Sequence, residues 1–290
     1  MNWSVALRLG RVSNLPTVWT NVCAGVVLSG AAVTAQLTLL LIVSLSLFYV
    51  GGMFLNDAFD QRFDRREQPH RPIPAGEATS AMVFAYGFGL LTLGLVILFI
   101  VGYAIPGGFG WRAPAAGALL AAIIVLYDAW HKANPIGPLI MGLCRLLVYV
   151  IAGLAAAGAL PEPLLLAGIV SLCYLIGLTY AAKQESLRRV DNVWPLLFLA
   201  VPFVYGLPLA VASVVALILY LLLLAAVIGA LIFLFRPAAP DVRHAMMLLI
   251  GGISLLDGLF MAGHGATSLA AAAVAAFLLT LAFQRWIAGT

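Results

Sequence analysis

Charge is what this sequence has least of. Only 9% of its 290 residues are Asp, Glu, Lys or Arg, where a soluble globular domain carries about 25%. That shortage excludes an ordinary soluble domain. The formal net charge of +4 calls for no nucleic-acid partner, because membrane topology accounts for it. Cysteine is scarce too. Cys23, Cys144 and Cys173 stand far apart in apolar segments without metal-site spacing, and read as packing thiols. No cleavable leader is expected: Arg8 and Arg11 precede the first apolar segment, but no small-residue cleavage site clearly follows, so that segment reads as a retained helix. No linker divides the chain and no strict repeat is visible, so residues 1–290 are expected to form a single membrane domain.

What is present is apolar sequence: 64% of residues are hydrophobic and the mean hydropathy is +1.10. Apolar runs of about 20 residues fit transmembrane helices, not barrel strands. Candidate spans cover 14–31, 37–59, 80–103, 113–130, 137–158, 163–182, 193–211, 213–235, 243–262 and 267–285, and Pro202 and Pro208 weaken the seventh. The expectation is an all-α bundle of nine to ten helices around a central cavity. With the N-terminus in the cytoplasm, Arg8, Arg11, Arg62, Arg65, Arg66, Arg71, Lys132, Lys183, Arg188, Arg189, Arg236, Arg243 and Arg285 all fall on the inner side. Only Arg112 falls outside, and Arg145 lies within a span. This is the positive-inside bias. It places the long polar connections, near 60–79 and 183–192, at the cytoplasmic face of what reads as a bacterial inner membrane.

The densest chemistry is Asn56-Asp57-Ala58-Phe59-Asp60-Gln61-Arg62-Phe63-Asp64, at the end of the second span. At about 100° per helical residue, Asp57, Asp60 and Asp64 fall on one narrow face, with Asn56 beside them. Carboxylates so close repel unless a cation lies among them. Hard oxygen donors suit Mg²⁺, which takes phosphate oxygens as further ligands. At a membrane edge the obvious use is to hold a diphosphate. A basic loop follows, Arg65-Arg66-Glu67-Gln68-Pro69-His70-Arg71-Pro72-Ile73-Pro74-Ala75-Gly76, in which Pro72 and Pro74 are expected to keep Arg71 pointed inward. Arginines beside metal-binding acids make sense when an anion bridges them.

These residues resemble the UbiA-type membrane prenyltransferases. The first aspartate-rich motif with its Arg-Pro-Ile-Pro-x-Gly sequel is the main likeness. The stretch from Arg8 to Thr17, continuing to Asn21, resembles the family's first helix, with Arg11 and Asn14 at cavity-facing positions. Tyr127-Asp128-Ala129-Trp130-His131-Lys132 is similar to its Tyr-Pro-x-x-Lys-Arg element. The resemblance implies nine spans around a lipid-open cavity, where hydropathy gives ten, so a core of nine plus one is expected. It further implies Mg²⁺-assisted loss of diphosphate from a polyprenyl donor and alkylation of an unidentified acceptor.

The chain departs from the family pattern after span six, where Thr179-Tyr180-Ala181-Ala182-Lys183-Gln184-Glu185 replaces the second acidic cluster and Asp191 follows. This sets it nearer an EboC-like branch than the quinone or haem branches. The resulting assignment has Asn56, Asp57, Asp60 and Asp64 holding the metal, with Asp191 or Glu185 as a lone further ligand. Lys183 supplies part of the missing charge. Arg11, Asn14, Arg66, Arg71, Asp128, His131, Lys132, Arg145, Tyr180 and Glu185 contact substrate. Trp19, Tyr49, Phe54, Tyr86, Tyr149 and Tyr180 are candidate wall residues. Intramembrane Arg145 and Asp257 each need the cavity or a partner. The rivals are an isoprenoid-binding or carrier protein that has lost turnover, and a transporter using Asp257, Arg145 and Asp128 as a relay.

Overall fold

The computed structural model describes residues 1–132, 134–187, 193–236, 241–287 and 289, without the side chains of 183–187. Its regular elements are α1 (Trp3–Leu9), a 3-10 turn (Val12–Asn14), α2 (Leu15–Leu28), α3 (Ala35–Glu67), α4 (Ser80–Tyr103), α5 (Arg112–Trp130), α6 (Gly137–Ala156), α7 (Glu162–Leu187), a 3-10 stretch (Trp194–Ala200), α8 (Val201–Ala210), α9 (Val214–Leu234), α10 (Val242–Gly263) and α11 (Thr267–Phe283). Among the described residues there is no strand. Seven helices are long and apolar enough to cross a membrane: α3, α4, α5, α6, α7, α9 and α10. Three shorter apolar segments, Val12–Leu28, Trp194–Ala210 and Thr267–Phe283, occupy the remaining expected spans. The seventh segment is irregular for a physical reason. It starts as a 3-10 stretch and carries Pro208 inside α8, where a missing N–H breaks the hydrogen-bond ladder.

The helices share two large apolar cores. One joins Val18, Val22 and Val26 of α2 to α3, α4, α5 and α6. The other joins Ala24 and Leu28, on the opposite side of α2, to the helices from α7 to α11. Alternate faces of one 14-residue helix therefore bind both halves. Apolar side chains such as Leu93, Phe99, Leu217 and Ile218 point outward, as lipid contact requires. Helix α10 is the exception, with 89% of its apolar window buried inside the protein.

Buried polar groups tie the halves together. Asp257 of α10 is fully buried, accepting from Thr20 Oγ1 of α2 at 2.7 Å and from the Tyr149 hydroxyl of α6. Arg145 of α6 donates to Thr17 O at 3.1 Å and to Asn21 Oδ1 at 3.3 Å, both on α2. Near the acidic end of α3, a Cβ on Gly51 would lie 2.9 Å from Gly87 O of α4. The two backbones touch there, which small residues alone permit and which fixes α3 against α4.

Candidate functional site

Helix α3 has 33 residues, so at 1.5 Å per residue it runs roughly 50 Å, about 20 Å more than a hydrocarbon core. Its acidic last turns therefore stand at the membrane edge. Asp57, Asp60 and Asp64 share one face and are all buried. Burial without partners would cost several kcal/mol per charge, and the partners are present. Arg11 donates to Asp57 Oδ1 at 3.1 Å and to Asn56 Oδ1 at 3.3 Å. Arg71 reaches Asp57 Oδ1 at 3.3 Å and Asp64 Oδ2 at 3.1 Å, its Nε held by Gln68 Oε1 at 2.8 Å. Lys132 Nζ lies 2.9 Å from Asp60 Oδ2, and His131 Nε2 lies 3.5 Å from the same oxygen. Acids and cations thus alternate across α3, the loop after it, the end of α5 and the turn before α2.

Two details show how that order is held. Helix α3 ends at Glu67 with Gln68 as its cap, and the loop then turns back through Arg71 N–H to Gln68 O and Ala75 N–H to Arg71 O. Arg71 points inward as the prolines of this loop led one to expect. Arg11 has φ 42° and ψ 47°, making it, among the described residues, the one non-glycine with positive φ. The left-handed conformation costs such a residue about 1–2 kcal/mol and persists where the surroundings impose it. Burial alone would lower the Arg11 pKa, but the carboxylates of Asp57 and Asp60 turn the balance upward.

Directly beneath lies an apolar cavity between α2, α3, α5, α6 and α7. Phe48, Tyr49 and Met53 line it from α3, Tyr127 and Asp128 from α5, and Arg145 from α6. Asp128 links the two regions: its Oδ1 accepts from Asn56 Nδ2 at 3.1 Å, while its Oδ2 is buried without a hydrogen-bond partner. Of the six candidate wall aromatics, Tyr49 is in place. Tyr86 is exposed, Trp19 bonds Ser46 Oγ, Phe54 packs in a small core with Val5 and Ala58, Tyr149 serves Asp257, and Tyr180 packs against the α7–α11 core. Tyr127, to which the sequence assigned no role, lines the cavity.

Other residues stand apart from the cluster. Arg66 lies on the exposed side of α3. Asn14 neighbours the cluster, but its amide is taken up by Ser13, Tyr49, Gln284 and Gly289. Asp257 is enclosed by α2, α6 and α10 and does not line the cavity with Arg145 and Asp128, so the three do not form the relay a transporter would need. Lys183 and Glu185 lie on the last turns of α7, but their side chains are outside the described residues, as is all of Asp191. Gln284 and Gly289 contact Asn14; nothing in the sequence marks them.

The acids supply hard oxygen donors, the chemistry Mg²⁺ takes, and Asp64 Oδ1 is buried with no partner. Among the described residues no three acidic, His or Cys side chains already converge as a metal cluster; the cations hold them instead. The donor set fits Mg²⁺ provided that the cations exchange partners.

Known proteins resemble this chain in sequence and in fold. The chain is 28% identical over 196 residues to the digeranylgeranylglyceryl phosphate synthase of Sulfolobus acidocaldarius, covering 67% of this chain and 65% of that protein, so it spans under two thirds of that relative's length. It is 28% identical over 260 residues to the enzyme of the same name from Methanopyrus kandleri, covering 85% and 89%. The relatives are mostly archaeal, so the bacterial setting finds no support among them. A UbiA homolog from Archaeoglobus fulgidus has the same fold, with a TM-score of 0.61 at 16% identity over 91% of this chain and 99% of that one. Its structure bound to DMAPP and Mg²⁺ gives 0.55 at 15% identity over 96% and 99%. The profile of the UbiA prenyltransferase family matches residues 15–250. With that match over most of its length, and with seven helices long and apolar enough to cross a membrane, this chain is an integral membrane protein that belongs to the UbiA prenyltransferase family.

Proposed function

We propose that this protein transfers a prenyl group from a polyprenyl diphosphate to a small acceptor within the membrane. The observation that carries the reading is the juxtaposition of two unlike regions. Three α3 carboxylates interleaved with Arg11, Arg71 and Lys132 sit at the mouth of an apolar cavity walled by Tyr49, Tyr127 and Met53. The first suits a diphosphate and the second an isoprenoid chain. Asp57, Asp60 and Asp64, with Asn56, would hold Mg²⁺, which supplies charge neutralisation for the departing diphosphate.

The chain's own residues do the rest. Arg11, Arg71 and Lys132 exchange carboxylate partners for diphosphate oxygens, gripping the headgroup and offsetting its charge as the allylic C–O bond breaks. Lys183 adds to that charge in this reading, and Asp191 or Glu185 adds a lone oxygen ligand. The aromatic faces of Tyr49 and Tyr127 favour the allylic cation, and the apolar walls keep water from it. Asp128, at the junction, meets the acceptor. The relatives are named for digeranylgeranylglyceryl phosphate, so a geranylgeranylated glyceryl phosphate is the first acceptor to test. In this reading the mouth faces the cytoplasm, the side that the positive-inside bias favours.

The test is release of pyrophosphate from labelled geranylgeranyl diphosphate by the purified chain with Mg²⁺ and that acceptor. One observation favours a second reading, a prenyl-lipid-binding protein without turnover: Lys183, Gln184 and Glu185 stand where the family has its second acidic motif. Tight binding with no pyrophosphate release would select it and end the transferase reading.

A further inference from the structure

We infer that Gln284, at the C-terminal end of the chain, is a positioning residue for the diphosphate site: it fixes Asn14, and through Asn14 and Tyr49 it sets the turn that presents Arg11. This rests on the reading of Arg11 as a diphosphate ligand. Gln284 directly follows α11 and is buried, and its Nε2 donates to Asn14 Oδ1 at 2.7 Å. Asn14 Nδ2 donates to Gly289 O at 2.9 Å and to Tyr49 Oη at 3.1 Å. Ser13 Oγ donates to Asn14 Oδ1 at 3.4 Å. A carboxamide has two protons and two lone pairs, and here all four are used. Asn14 therefore has nothing left for a substrate and acts as a junction between the chain's two ends.

The junction leads straight to Arg11. Tyr49 Oη, which accepts from Asn14, donates to Arg11 O at 3.5 Å, and Asn14 N–H donates to the same carbonyl at 3.1 Å. Arg11 is the residue in the left-handed conformation, which persists where its surroundings over-determine it. From that turn its guanidinium reaches Asp57 and Asn56. The C-terminal contact is closely fitted as well: a Cβ on Gly289 would lie 2.7 Å from both Asn14 Oδ1 and Gln284 Nε2. Gln284 and Gly289 lie beyond residues 15–250, which the family profile matches.

The test uses full-length protein in detergent with inorganic pyrophosphate and Mg²⁺ as the probe. Gln284→Ala is expected to weaken pyrophosphate binding about fivefold, the worth of one neutral hydrogen bond, and to raise KM for geranylgeranyl diphosphate while kcat stays within about twofold. In an Arg11→Ala background the same substitution should change nothing further, because the residue it positions is gone. Gln284→Met, which keeps length and apolar bulk, should behave like Gln284→Ala and guards against misfolding. Multiplying effects of the two substitutions, or unchanged binding in both Gln284 variants, would overturn the inference. Tryptic cleavage after exposed Arg285 reads the brace without any ligand: Asn14→Ala should accelerate it, and an unchanged rate would also overturn the inference. Accelerated cleavage with no pyrophosphate binding by the wild-type chain would instead overturn the functional reading.

Discussion

Replacing Asp60 by asparagine separates the chemistry of the site from its folding. Asp60 is buried and takes Lys132 Nζ at 2.9 Å and His131 Nε2 at 3.5 Å. Breaking a fully buried ion pair costs about 3–5 kcal/mol because one charge is stranded. Here the stranded partner has an exit. Lys132 is 42% exposed, and its ammonium already lies 4.0 Å from the centre of the Phe63 ring. The cost to stability is therefore nearer that of an exposed pair, about 1 kcal/mol, a fall in Tm of a few degrees. Turnover answers to a different quantity. If the carboxylate charge helps hold the ion that offsets diphosphate departure, its loss resembles removal of one preorganised electrostatic group, about 10²–10³-fold in kcat. Pyrophosphate release from labelled geranylgeranyl diphosphate in nanodiscs, read beside a thermal melt of the same preparation, measures both. Turnover within threefold of wild type would refute the metal role of Asp60, whatever the melt showed.

Three further outcomes follow from the geometry. Gly52 lines the cavity, and a Cβ there would lie 3.0 Å from Ile124 Cγ2; Gly52→Val should raise KM for geranylgeranyl diphosphate about tenfold and spare shorter donors, as competition between donors would show. Chelation by EDTA should stop pyrophosphate release and added Mg²⁺ should restore it, whereas larger Ca²⁺ should restore little. At the start of α10, desolvation raises the Asp241 pKa, but its bonds to the His244 ring and backbone N–H lower it further, so it titrates below the usual carboxylate range. An acid depressed in the folded state adds stability above its unfolded pKa and loses it as pH falls through the folded one. Asp241→Ala should thus cost about 1 kcal/mol at neutral pH, and melts of the two proteins should converge in acid.

The parts of this site that were readable in the sequence are those set by local geometry. Asp57, Asp60 and Asp64 share a face because a helix repeats at a fixed angle, and Pro72 and Pro74 stiffen a loop whatever surrounds it. The same arithmetic puts Arg66 about 180° from Asp57, on the exposed side where the structure has it; proximity in the chain had grouped it with the acids. The irregular seventh segment followed from Pro202 and Pro208. Asn14 was different. Its position near the site was evident, but its task depends on Gln284, 270 residues away, and no periodicity links the two. The partners of Asp257 were hidden likewise: Thr20 and Tyr149 sit on helices that meet α10 only in the folded bundle.

Enclosure of α10 bears on how the chain enters a bilayer. An acid at the centre of a lone helix adds about 2.5–3.5 kcal/mol to the cost of insertion, and Asp257, in the last third of α10, bears a part of that cost. Its hydroxyl partners belong to α2 and α6, which leave the ribosome first. By the time α10 emerges, the slot that shelters its carboxyl is already in the membrane, and the early helices serve as a receptacle for a late one. Splitting the gene between α9 and α10 should give a C-terminal fragment that integrates well when the N-terminal fragment is co-expressed and poorly when made alone.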